Sequence, residues 1–126
     1  MLKPPFDPKA YTWPDDWQAI SEGFEEECAS VFGFLETDGR GETPANTFVD
    51  ELHRELSNGH LLQGRQFIAI ACSTRDPDSV LFYTDDRERP FAFVHLTWHA
   101  ERTPDFPFTK TYPTMLAFLA ECSAEV

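Results

Sequence analysis

Phe91-Ala92-Phe93-Val94-His95-Leu96-Thr97-Trp98 is the longest dense run of β-branched and aromatic residues in this 126-residue chain. Such a run reads as a strand with apolar side chains on both faces. A strand of that kind belongs inside a sheet, with other elements covering it. Two more strands precede it, Phe67–Cys72 and Val80–Tyr83. The turn cluster Arg75-Asp76-Pro77-Asp78 separates those two, because Pro presets one turn dihedral and Asp side chains bond the local backbone. Asp85–Pro90 is a charged connection into the opening stretch. Strands joined by loops of about six residues form an antiparallel meander, with room for one short extra strand.

Helices are expected around that meander. Pro14 suits a first helical turn, with Asp15 and Asp16 at the positive end of the dipole. Trp17, Ile20, Phe24, Cys28 and Val31 then recur at helical steps, with Gly33 as the stop. Thr43-Pro44 opens a second helix whose stripe is Ala45, Phe48, Val49, Leu52 and Leu56, ended by Ser57-Asn58-Gly59. His53 falls beside that stripe, on the helix surface. Thr111-Tyr112-Pro113 opens a last helix with Met115, Leu116, Leu119 and Cys122 on one face. Residues 1–13 carry Pro4, Pro5 and Pro8 and read as an irregular arm whose Phe6, Tyr11 and Trp13 lie on the domain. The polar, glycine-bearing stretch 36–42 is a connector, and 99–108 is a proline-broken excursion. The expectation is one α+β domain over residues 1–126, in the order α-α-β-β-β-α, with a three-stranded antiparallel meander covered by helices.

Charge is the unusual feature of the composition. There are 22 acidic against 10 basic side chains, a formal net of −12. Such a field repels nucleic-acid phosphates and anionic membrane surfaces and favours a basic partner. No apolar stretch approaches the roughly 18 residues of a membrane span, and the first residues lack the apolar core of a signal peptide. Cys28, Cys72 and Cys122 form no Cys-x-x-Cys pair and sit at apolar positions, which fits buried thiols in a reducing cytoplasm.

Few residues offer chemistry. His95 and His99 have the i,i+4 spacing that binds zinc on a helix. On a strand that spacing is about 13 Å, too far for two nitrogens at about 2.1 Å from one ion. Cys72 and His95 have the residue types of a thiol nucleophile and its base, without an orienting third residue. Neither a Gly-x-Ser-x-Gly elbow nor a His-Glu-x-x-His helix occurs, and the carboxylates are scattered. No catalytic residue, metal ligand or cofactor is therefore assigned. Alternation places His95 with Phe93 and Thr97, opposite Val94, Leu96 and Trp98.

Gly59-His60-x-Leu62, Asp78-x-Val80-Leu81-Phe82 and Val94-His95-Leu96-Thr97-Trp98, with Pro107 and Tyr112 beyond, resemble a set of short bacterial proteins to which no activity is attached. The likeness covers residues 50–113. It carries over no catalytic residue. It implies a bacterial source and that His60, His95 and Trp98 belong to the shared fold or site.

Two functions follow as expectations. The first is a small acidic interaction protein of the immunity or antitoxin type, whose carboxylates at Glu25, Glu26, Asp85 and Asp86 mimic phosphates toward a basic partner. The second is a small-molecule-binding domain or minor enzyme with a pocket lined by His60, His95, Trp98 and His99.

Overall fold

In a computed structural model, residues 5–20, 48–76, 78–97 and 107–124 are described. They form an antiparallel sheet of β1 (Trp17–Ala19), β2 (Phe67–Ser73), β3 (Ser79–Thr84), β4 (Phe91–His95) and β5 (Phe108–Tyr112), with helices α1 (Phe48–Glu55) and α2 (Met115–Ala124). The strands lie side by side in chain order, so β3 is central and β4 is interior.

The α+β class follows the sequence reading, but the three-stranded meander and the α-α-β-β-β-α order do not: among the described residues the antiparallel sheet has five strands. Both additions correct the expected order. Trp17–Ala19, read as the first turns of a helix, pairs with β2 at Trp17↔Ser73 and Ala19↔Ala71. Phe108–Tyr112, read as an excursion leading into a helix, pairs with β4 from His95↔Phe108 to Phe91↔Tyr112. Pairing with a distant strand satisfies backbone groups that a three-residue segment could not satisfy alone. The remainder of the expected first helix, residues 21–33, lies outside the described residues, as do the connector 36–42 and most of the excursion.

Each face of the sheet carries its own core. Phe67, Ala69, Cys72, Val80, Phe82, Ala92 and Val94 face α1, where Phe48 and Leu52 cover them together with Ile20, Leu62 and Leu96. Ile70, Ala71, Leu81, Phe91 and Tyr112 face the other way, under Met115 and Phe118 of α2 and the N-terminal Phe6, Tyr11 and Trp13. A register shift between Ala69 and Ala71 explains why Ala69 and Cys72 share a face at odd spacing. Ile70 is the extra residue of this bulge, and its carbonyl accepts the backbone N–H of Ile20 at 2.8 Å.

The arm folds back as a short 3-10 turn at Pro8–Ala10, which Asp7 caps by accepting the Lys9 N–H. The Trp13 indole N–H donates to the Pro8 carbonyl at 2.8 Å. In α2, Thr114 is the N-cap and accepts the Ala117 N–H at 3.1 Å. Phe118 takes the inward place expected of Leu116, which is 73% exposed. Beyond α1, Gly59 turns the chain at φ +90°, a conformation that favours glycine. The cysteines are also corrected: Cys72 is disulfide-bonded, while Cys122 is a half-buried thiol outside any disulfide. Among the described residues no helix is long and apolar enough to cross a membrane.

Candidate functional site

The face that carries α2 is not fully filled. A cleft of about 220 Å³ opens between Trp17 of β1, Phe93 of β4, Phe108, Lys110 and Tyr112 of β5, and Phe118, Glu121 and Cys122 of α2. Its walls are aromatic because alternation along β5 sends Phe108, Lys110 and Tyr112 to this face while Thr109 and Thr111 point away. Trp17 meets Phe118 edge-on at 5.2 Å between ring centroids, and Phe93 lies 6.0 Å from Trp17 and 6.5 Å from Phe108. Phe108 is 53% exposed, so one wall still offers a ring to solvent.

A single ion pair marks the rim. Lys110 donates to Glu121 and stands 5.7 Å from the centre of the Tyr112 ring. The Lys110 hydrogen bond, and after it that of Tyr112, hold the Glu121 carboxyl below its usual range.

A second group lies at the end of the sheet where β4 stops and β5 starts. His95 shares the cleft face with Phe93 and is the register partner of both Ser79 and Phe108. The turn between β2 and β3 brings two carboxylates to it. Asp76 Oδ2 is 3.4 Å from His95 Nδ1, and Asp78 Oδ2 is 3.7 Å from His95 Nε2. The turn itself is well tied. Asp76 accepts the Ser79 hydroxyl at 2.7 Å and the Asp78 N–H at 3.1 Å, and Ser73 Oγ accepts the N–H groups of Arg75 and Asp76. The Leu96 N–H donates to the Asp78 carbonyl at 2.7 Å, which fastens the turn to the end of β4.

His60 is elsewhere. It is 4% exposed, and its Nδ1 accepts the Leu62 N–H at 3.0 Å. That bond fixes the neutral tautomer in which Nε2–H faces the Pro107 carbonyl at 3.0 Å, with the Thr109 hydroxyl at 3.3 Å. Thr109 points to the α1 side, so His60 and His95 lie on opposite sides of the sheet. Trp98, His99, Glu25 and Glu26 lie outside the described residues. The face-sharing expected of His95 and Thr97 ends with the strand, because Thr97 turns to Glu55 on α1.

The remaining predicted residues, Asp85 and Asp86, belong to the turn between β3 and β4. Arg65 stands 3.8 Å from each carboxylate. Backbone N–H groups of Arg89 and then Glu88 bond Asp86 and lower its carboxyl pKa. The nucleophile reading of Cys72 with His95 does not survive: Cys72 faces α1, pairs with Val80 and is covalently occupied.

One group was missed entirely. Glu51 and Glu55, one turn apart on α1, are 2% and 0% exposed. Glu55 accepts both the N–H and the hydroxyl of Thr97, at 2.8 and 3.0 Å. Glu51 shares a hydrogen bond with Glu55, and among the described residues its Oε2 has no hydrogen-bond partner. Burial first, then the hydrogen bond and charge of Glu55, push the Glu51 carboxyl up to about 8. The signal was present, since each Glu follows a buried residue of the stripe, Phe48 or Leu52, by three positions.

No protein-family model, curated protein or solved structure matches the chain.

Proposed function

We propose that this protein is a small-ligand-binding domain, with the aromatic cleft between the sheet and α2 as its seat. The observation that carries the reading is the convergence of Trp17, Phe93, Phe108, Tyr112 and Phe118 on one open cleft beside a single ion pair. Ligand sites combine apolar and aromatic walls with few orienting polar groups. At about 220 Å³ the cleft is small, so the ligand is compact. Rings prefer offset or edge-on partners, which favours a planar body. The net charge of −12 disfavours an anion, so the ligand is neutral or cationic.

The test is an amide and indole NMR screen with small aromatic cations, neutral aromatics and aromatic acids. Saturable shifts at Trp17, Phe108 and Lys110 support the reading, as does their loss in Phe108→Ala, a side chain exposed enough to remove without unfolding. No cleft shift at millimolar ligand of any class would sink it.

The acidic-inhibitor reading draws support from the net charge alone. Asp85 and Asp86 face Arg65, so a basic partner would be attracted by the field of the whole domain rather than by that turn. Pull-down from bacterial lysate at low and high salt tests it. A stoichiometric basic protein lost at high salt supports it, and the absence of one at low salt refutes it.

A further inference from the structure

We infer that Asp76, Asp78 and His95 form a binding site for one divalent cation. One donor atom from each residue lies within 4.8 Å of the others. The separations of 3.4 and 3.7 Å are too long to be good hydrogen bonds. The shorter one suits two ligands that share an ion, because donors about 2.1 Å from a metal stand roughly 3.0–3.4 Å apart at octahedral to tetrahedral angles. Two carboxylates alone would be a common surface feature. Here an imidazole from a different strand completes a mixed oxygen and nitrogen set.

The strand spacing of about 13 Å rules out His99 as a co-ligand of His95. The register Ser79↔His95 supplies other partners, by placing the β2–β3 turn against the end of β4. The donors are held in advance, Asp76 by Ser79 and by the Asp78 backbone, and the turn by Leu96. A single ion takes one ring nitrogen. Nδ1 is the nearer to a carboxylate, so it is the donor, and the Asp78 carboxylate swings toward it. All three side chains are partly exposed, which leaves positions for water. Two carboxylates, one imidazole and water suit a first-row divalent ion such as Mn²⁺ or Zn²⁺.

Because an acidic protein attracts any cation, the test must separate a built site from diffuse attraction. Metal-free protein is titrated calorimetrically with Mn²⁺, Zn²⁺ and Ca²⁺, alongside Asp76→Asn, Asp78→Asn and His95→Gln. Asp85→Asn makes the same charge change at another turn. The expected result is one saturable site for Mn²⁺ or Zn²⁺, weakened at least about tenfold by each of the three substitutions and left intact by Asp85→Asn. Selective shift or broadening of the His95 ring resonances accompanies it. If Asp76→Asn loosens its turn, His95→Gln still decides, since His95 is exposed and closes no turn. Several weak sites, or equal weakening by Asp85→Asn and His95→Gln, would overturn the proposal.

Discussion

Replacing Glu51 by Gln tests the buried carboxyl pair of α1. The Glu51 carboxyl is raised from 4.5 to about 8, so near neutral pH it is protonated in the folded protein and ionised in the unfolded chain. The folded state therefore binds the extra proton. The stability gained in this way is fully present below pH 4.5 and is lost as pH rises to about 8. The slope is at most one proton, about 1.4 kcal/mol per pH unit. Glutamine keeps a donor for Glu55 and removes the titration. Between pH 5 and pH 8 the wild-type chain should lose on the order of 2–4 kcal/mol relative to Glu51→Gln. Urea unfolding of both proteins at unit pH steps measures this, with the m-value checked for constancy. Comparing the pair cancels the titration of groups they share. A stability difference that stays flat across the range would refute the reasoning.

The remaining predictions concern other parts of the fold. His60→Leu leaves the Leu62 N–H without its acceptor, while the Pro107 carbonyl keeps the Thr109 hydroxyl as a donor, and should cost roughly 1–3 kcal/mol in urea unfolding. Arg65→Ala removes two exposed ion pairs and should change stability by less than about 1 kcal/mol, since such pairs are weak in water. Alkylation of the denatured, unreduced protein should label Cys122 and leave Cys72 unlabelled until a reductant is added, as peptide mass spectrometry would show.

The central strands were legible because their residues do one thing at short range. Phe67–Ser73, Ser79–Thr84 and Phe91–His95 are dense in apolar side chains and bounded by turn residues. β1 was not legible because Trp17 and Ile20 are three apart, which suits a helix as well as a strand whose partner is far away. β5 did carry a signal: Phe108-Thr109-Lys110-Thr111-Tyr112 alternates, with threonines at the intervening positions. Pro104 and Pro107 before it read as a broken loop and Pro113 after it as the start of a helix, so the strand between them was hidden. The candidate sites were harder still. Asp76 and Asp78 were correctly read as turn residues, but only the strand register brings His95 to them. The cleft needs β1, β4, β5 and α2 together, so no single stretch announces it.

The lateral order of the sheet has a kinetic consequence. From β2 to β5 each strand pairs with the next one along the chain, so those contacts close short loops. β1 is different, because Trp17 must find Ser73 across much of the sequence. Loop-closure entropy grows with the length enclosed, and the cost falls before the contact is made. The β2–β5 meander should assemble first and β1 should dock late, onto an edge already formed. Trp17 is a wall of the aromatic cleft, so ligand binding and the last step of folding share one residue. A ligand in the cleft would then hold the β1 edge in place and slow its release.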